Sequence, residues 1–384
     1  VSIDVNHFDS VYVLSHGVQT VNSVCQSMQR VRSNIPRYVW CKQWSPHQIG
    51  NGSNDIKSLL ASTHKLASAQ IGLLQKMGIT EANDVSFYEE SEDIKSCSPS
   101  LIAWGKRAVI INTENSKFAE TLFKKCEQIG YQVLDIDDLE NDYTQIKKEF
   151  KEVKEKNYKD HTKRTSNSPN IDQKSYEELK ERKDLSDEEE ETLKKAEISR
   201  CYLTEKVSPQ MVEKHDKGWL PKLQLLYYLT VGEAHLKDKE KRNLTQLKEQ
   251  SDNGELFKPD ICKSTLGTQL FFLNYLDILQ FLDPNAEFDK DSLQKWYEKI
   301  STPVMKSQIK TVFGFWIGER DTAISVAQRF LDKLDLGLIF DRRERRKGKQ
   351  VRIYKGCNVN SEQRGKIFER WLKRDEANFM NEAA

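Results

Sequence analysis

The run GLIFDRRERRKGKQVRIY, Gly337 to Tyr354, decides how the C-terminal part of this chain folds. Gly337 to Phe340 and Gln350 to Tyr354 are rich in residues that suit a pleated surface. The charged stretch Asp341 to Lys349 between them carries a glycine, so the spacing predicts a hairpin closed by a charged loop. Arg342, Arg343, Arg345, Arg346, Lys347, Lys349 and Arg352 are seven cations against the two carboxylates Asp341 and Glu344, a local charge of +5. Guanidinium groups present rigid donor forks that match phosphate oxygens, and a protruding hairpin can lay them along a nucleic-acid backbone or in a groove. A solvated turn kept soluble by its charge is the competing reading.

Working outward, Pro303 to Trp316 and Thr322 to Leu334 predict helical segments just before the hairpin. Helix, helix, hairpin is the order of a winged-helix module. In such a module Thr322 to Leu334 is the recognition helix, with Ser325, Gln328 and Arg329 as candidate contacts to DNA. Further upstream, Leu266 to Leu282 carries the stripe Phe271, Phe272, Tyr275, Leu276, Leu279 and Phe281, and Pro221 to Thr230 follows Trp219. Aromatic density at helical spacing reads as packing rather than ligand contact. Lys174 to Arg200 reads as a solvated helix pair with a capping box at Ser186 and Glu189. Residues 160–172 have the composition of a linker.

At the start, Val1, Ile3 and Val5 alternate with polar residues, Val11 to Leu14 is a second β-rich run, Val21 to Val31 is helical and Arg37 to Cys41 is extended. Strand, strand, helix, strand reads as the edge of an α/β sheet. Asp55 to Leu74 suits an amphipathic helix, and Trp104 to Ile129 suggests more helix capped near Gly130. The expected fold class is an α/β remnant followed by mainly α structure: a partial RecA-like parallel sheet, a helical extension and a C-terminal winged-helix-like module. The expected boundaries are 1–140 for the sheet remnant with its helices, 141–200 for a charged helical or linker region, 201–300 for a helical domain, 301–356 for the winged-helix-like module and 357–384 for a tail.

Composition narrows the function classes. In 384 residues, 60 Lys and Arg stand against 59 Asp and Glu, so any electrostatic footprint is local. The seven cysteines form no CxxC pair, and the seven histidines form no HExxH or close His/Cys cluster. Structural zinc and metalloenzyme chemistry are therefore not expected. Cys25 lies near Arg30 in sequence, yet no histidine stands at a spacing that makes it a nucleophile, and it reads as a buried structural thiol. Without a run of about 20 apolar residues or a basic-apolar leader, the chain is expected to be cytoplasmic and to have no membrane partner. A first residue of Val1 leads us to expect a piece of a longer polypeptide.

The run Val1 to Val5, His7, Phe8, Asp9, Gly17 and Val18, and then Gln26, Gln29, Arg30, Val31 and Arg32 with Pro36, Arg37 and Trp40 resemble motifs V and VI in the second RecA-like domain of a superfamily 2 helicase. More narrowly, they resemble the helicase portion of cyanobacterial plasmid replication proteins, in which a toprim-like primase region precedes a helicase-like region. The likeness covers residues 1–45 and extends loosely through Trp104 to Gly130 and Leu220 to Leu282. It implies an ATP-dependent DNA helicase that uses ATP and Mg2+ in the complete protein, with DNA and the upstream regions of the same polypeptide as partners. Position by position, Ser2 and Asp4 match the motif V end that couples nucleotide to DNA, and Gln26, Arg30 and Arg32 match motif VI, which contacts nucleotide phosphates. The commoner pattern has glycine at Gln29 and its last arginine at Ser33. This chain has Arg32 instead, so either Arg30 or Arg32 is the candidate finger, Arg30 first.

The sequence has no Gly-x-x-x-x-Gly-Lys-Ser/Thr loop and no following acidic magnesium motif. By itself the chain is therefore expected to be inactive, with no tightly bound cofactor. A non-enzymatic nucleic-acid-binding or scaffold protein, in which the α/β part only packs, is the alternative expectation.

Overall fold

The computed structural model describes residues 7–79, 82, 97–135, 144–250, 257–263, 266–283, 285–346, 349–357 and 361–383. The first expected strand, Val1 to Val5, lies outside them, and so do Ser2, Asp4 and Lys347. The chain divides into two compact units: Val1–Leu139 with Thr245–Thr265, and Glu140–Leu244 with Leu266–Ala384.

The first unit begins with β1 (Val11–Ser15), α1 (Val21–Gln29) and β2 (Arg37–Cys41), a strand-helix-strand unit in which the two strands pair in parallel with Val11 opposite Arg37. Alternation assigns Val13, Val39 and Cys41 to one face, where they pack with Val21, Val24, Cys25 and Met28 of α1 and with Phe118, Leu122 and Cys126 of a later helix. The other face carries Tyr12, Leu14, Tyr38 and Trp40, all exposed, with the Tyr12 and Tyr38 rings stacked at 5.0 Å. Thr20 starts α1 by accepting the Ser23 N–H at 3.3 Å.

After β1 the chain turns at Gly17, whose φ of 75° and lack of a side chain let Ser45 approach. A Cβ there would sit 2.7 Å from the Ser45 Cβ. The helix pair α2 (Ile56–Lys76) and α3 (Pro99–Ser116) follows, and the latter gives way at Lys117 to α4 (Phe118–Gln128). The single helix expected from Trp104 to Ile129 is thus two, because Lys117 has the non-helical backbone angles −134° and 53°. Tyr131 to Asp135 leave α4 without strand pairing, and Tyr131 and Val133 pack on the first core.

In the second unit α5 (Thr144–Asn167) runs straight through the first half of the expected linker. Composition misled there because the helix is held by polar groups. Arg164 donates to the carboxylate of Glu191, 27 residues on, at 2.8 Å, and the Thr162 hydroxyl donates to the Lys159 carbonyl at 2.9 Å. Beyond α6 (Gln173–Glu181) comes α7 (Asp187–Tyr202), which opens with the expected capping box: Ser186 Oγ accepts from Glu189 N–H and the Glu189 carboxylate accepts from Ser186 N–H. Then come α8 (Pro209–Asp216), α9 (Trp219–Leu229) and α10 (Leu236–Glu249), whose last turn belongs to the first unit, as does α11 (Lys258–Lys263). The expected C-terminal tail is instead the helix α16 (Ser361–Ala383). Its Trp371 is buried against Tyr227 of α9, and its indole N–H donates to the Cys201 carbonyl at 3.0 Å.

The rest of the second unit is α12 (Leu266–Tyr275), the two-residue strand β3 (Glu287–Phe288), α13 (Gln294–Ile300), α14 (Pro303–Phe313), α15 (Ala323–Asp332), β4 (Gly337–Arg346) and β5 (Lys349–Cys357). The three strands form an antiparallel sheet in the order β3-β5-β4. Because β3 joins this sheet, the structure around the hairpin starts before residue 301, where the sequence placed its boundary. The described architecture is thus a small parallel sheet, a mostly helical body and a small antiparallel sheet with helices. Among the described residues no helix is long and apolar enough to cross a membrane.

Candidate nucleic-acid interface

The sheet is carried on an aromatic core. Phe330 of α15 is fully buried and meets Phe313 at 5.2 Å, Phe315 at 5.0 Å and Trp296 at 6.2 Å, all edge to face, while Trp296 also packs on Phe281. The Trp296 indole N–H donates to the Leu276 carbonyl at 2.8 Å, which satisfies the one polar atom of that ring. α15 starts with Thr322 and Ser325 in a reciprocal cap and ends in a turn at Asp335, φ 55°, that delivers the chain into β4.

The stretch Asp341 to Arg346, expected as loop, is strand. The ladder continues past Phe340 through Arg346 opposite Lys349, with a bulge between Phe340 and Arg342. The physical reason is cross-strand charge pairing. Alternation assigns Arg342, Glu344 and Arg346 to one face of the hairpin and Arg343 and Arg345 to the other. On the first face Arg342 donates to both carboxylate oxygens of Glu287, at 2.7 and 2.8 Å, and to Asp341 at 2.7 Å. Arg346 reaches Asp289 at 2.8 Å and Glu344 at 3.1 Å, and Lys355 completes the set with Asp341 at 3.2 Å. The guanidinium of Arg342 holds the Glu287 and Asp341 carboxyls below their usual range, and Arg346 does the same for Glu344.

The opposite face differs in kind. Arg343 stands across from Arg352 and Arg345 across from Gln350, and all three arginines are exposed. Among the described residues none of the three forms an ion pair. The same face carries the cross-strand pair Phe340 and Tyr354, rings 6.2 Å apart edge to face, with Phe340 half exposed. Three arginines beside two aromatic rings form a surface suited to phosphates and base or sugar faces. Lys349 begins β5, and Lys347 lies outside the described residues.

Of the three contacts expected from α15, Ser325 belongs to the cap with Thr322, and Gln328 and Arg329 have partners within the unit. Arg329 forms a fork with Asp321, Nη1 to Oδ2 at 2.9 Å and Nη2 to Oδ1, and donates to the Trp316 carbonyl at 2.8 Å. Gln328 accepts from the Leu338 N–H at 2.7 Å and donates to Asp332 at 2.8 Å, fixing the start of β4. Both residues build the scaffold. The acids Glu287 and Asp289, which neutralise one hairpin face, are the residues that sequence reasoning missed. They lie more than 50 positions upstream, and only the pairing of β3 brings them near. The division of the arginines, in contrast, was available from period-two alternation.

In the first unit, Gln26 and Arg30 share the exposed side of α1, opposite Val24, Cys25 and Met28. Arg30 is the C-cap, and Arg32 is exposed two residues beyond it. Arg37, at the start of β2, holds this exit: it donates to the carbonyls of Met28 at 3.3 Å, Val31 at 2.5 Å, Ser33 at 3.2 Å and Ile35 at 2.8 Å, with its guanidinium 5.0 Å from the Tyr131 ring centroid. One side chain thus sets the course of the segment bearing Arg30 and Arg32. Burial pushes the Cys25 thiol up, against the opposing pull of its hydrogen bond with Cys126 and of Lys125, and carries Cys126 up to about 12. Among the described residues no three His, Cys, Asp or Glu side chains come together as a metal site.

No family model matches the chain. No solved structure matches it either. An uncharacterized protein of Picosynechococcus sp. (strain PCC 7002) is 34% identical over 385 residues, an alignment that covers 98% of this chain. The chain spans 36% of that relative's length. It is therefore related to part of a larger cyanobacterial protein.

Proposed function

We propose that the second unit contains a DNA-binding module of winged-helix type that reads phosphates with Arg343, Arg345 and Arg352, in a replication protein whose complete polypeptide is an ATP-dependent helicase. The observation that carries the DNA-binding reading is the open hairpin face, where three exposed arginines flank Phe340 and Tyr354. The order α12, β3, α13 to α15, β4, β5 with strand order β3-β5-β4 supports the winged-helix assignment. The helicase reading draws support from the parallel β1-α1-β2 unit, which ends with Arg30 and Arg32 exposed on a segment fixed by Arg37.

The chain supplies only the arginine part of a nucleotide site. A phosphate-binding loop is not in its sequence, so no step of ATP hydrolysis is assigned to its residues. In the complete helicase the neighbouring domain would bring ATP and Mg2+ against Arg30 or Arg32.

The test compares two variants of the full chain in DNA binding over a salt series. Replacing Arg343, Arg345 and Arg352 with alanine removes three phosphate partners, and each contributes about 0.9 to the slope of log K against log salt. Binding that weakens strongly and loses roughly 2 to 3 units of slope supports the reading. Replacing Arg342 and Arg346 instead should leave the slope within about one unit. Equal effects from the two variants, or no binding by the folded wild type, would remove the open face from the proposal.

A further inference from the structure

In the winged-helix reading α15 is the helix that enters a major groove, yet its polar side chains are occupied with holding the unit together. Arg329 is forked onto Asp321 and donates to the Trp316 carbonyl, Gln328 is held between the Leu338 N–H and Asp332, and Ser325 closes the cap with Thr322. Side chains of this kind, presented from a helix, are what read the base edges of a duplex. With all three engaged, contact with DNA falls to the open face of the hairpin, and the chemistry of that face decides which form of DNA it takes.

Three cross-strand pairs follow one another along the face: Phe340 with Tyr354, Arg343 with Arg352, and Arg345 with Gln350. On β5 these rows are two residues apart, about 6.6 Å. None of the six residues is a carboxylate. The acids are on the other side of the sheet, where Asp341, Glu344, Glu287 and Asp289 accept from Arg342 and Arg346. The three arginines of the open face are exposed and form no ion pair among the described residues. The first row is different in kind. Phe340 is 51% exposed, and Tyr354 supports its ring edge to face, with centroids 6.2 Å apart and planes at 77°.

A phosphate backbone gains nothing from an apolar ring, whereas a nucleobase gains a stacking partner whatever its identity. In a duplex the faces of each base are covered by the neighbouring base pairs. Only in a single strand can a base leave its stack and lie on an aromatic side chain. We propose that the open hairpin face binds single-stranded DNA, with one base stacked on Phe340 and the adjoining phosphates on Arg343, Arg352 and Arg345. This rests on the DNA-binding reading above and adds to it the form of the ligand and Phe340 as the residue that selects it.

The experiment titrates the full chain, by fluorescence anisotropy at fixed salt, with three labelled probes of about 15 nucleotides: oligothymidine, a blunt duplex of that length, and an oligomer of abasic sites that keeps the phosphates and lacks the bases. Wild type should bind oligothymidine at least about tenfold more tightly than either other probe. Phe340→Leu, which keeps an apolar side chain at this half-exposed position and removes the ring face, should weaken oligothymidine binding about tenfold, and Phe340→Tyr, which restores a ring, should recover most of that loss. On the abasic probe, with no base to stack, the difference between wild type and Phe340→Leu should shrink below about twofold. Equal wild-type affinity for oligothymidine and for the duplex or the abasic probe would overturn the single-strand assignment and leave the arginine reading standing, and this comparison needs no variant to fold. Unchanged oligothymidine affinity in folded Phe340→Leu would do the same. No binding of any probe by the wild type, or no loss in the Arg343, Arg345 and Arg352 triple alanine variant, would overturn both.

Discussion

Replacing Arg37 with alanine should loosen the segment that carries Arg30 and Arg32 without unfolding the chain. The guanidinium spans four carbonyls, of which those of Val31 at 2.5 Å and Ile35 at 2.8 Å are short and those of Met28 and Ser33 are longer, at 3.3 and 3.2 Å. In this half-buried setting the two short bonds contribute roughly 1 to 1.5 kcal/mol each. Stacking on Tyr131 adds about 0.5 to 1 kcal/mol. The longer bonds are left out because the freed carbonyls regain water. The total is about 3 kcal/mol of local stability, which corresponds to roughly 150-fold faster amide exchange where exchange follows local opening. Hydrogen exchange by mass spectrometry on a peptide spanning residues 26–41 of the full chain reads this directly, with peptides from α7 as internal control. Arg37→Lys keeps a charge but has no planar fork, and should recover about half of the free energy. Exchange in Arg37→Ala within about threefold of wild type, or an Arg37→Lys variant indistinguishable from wild type, would refute the clamp.

Three further outcomes follow from the packing and the charges. Gly17→Ala should destabilise the first unit by about 2 kcal/mol, measured by chemical denaturation, because it combines a left-handed backbone with a Cβ set against Ser45. Phe330→Ala should cost about 3 to 5 kcal/mol and abolish the near-ultraviolet dichroism contributed by the ring cluster around Trp296. The Asp321 carboxyl is held below its ordinary value of 3.8 first by its fork with Arg329, and burial opposes the shift. Its contribution is therefore fully present above about pH 4 and is lost as the pH falls through the depressed folded value. Thermal melts of wild type should show that acid loss, and Asp321→Asn should start from a lower melting temperature and lack it.

Much of the fold was legible because apolar spacing is a local signal. The limits of β2, the start of α15 at Thr322 and the cap at Ser186 follow from residues within a few positions of one another. The failures have the opposite character. α5 is stabilised by Arg164 reaching Glu191, 27 residues on, which composition cannot register. The basic run in the hairpin looks uniform as a string, yet β3 supplies Glu287 and Asp289 to only one side of it. Arg329, chosen for its charge and its place on a helix, is occupied by Asp321 at the helix entrance.

The outward face of β1 and β2 has a use of its own as an optical gauge. Trp40 is half exposed on that face, with the His16 ring 5.2 Å from its own, and Trp44 just beyond the strand is more exposed still, whereas Trp219 and Trp371 are shut away from water. Red-edge excitation therefore selects the indoles in contact with solvent, and collisional quenching by iodide or acrylamide reaches the same ones. In a Trp316→Phe background, which removes the exposed indole of the second unit, whatever settles over the tyrosine and tryptophan row will shift that emission to the blue and shield it from quencher, giving a label-free signal for occupancy of the sheet.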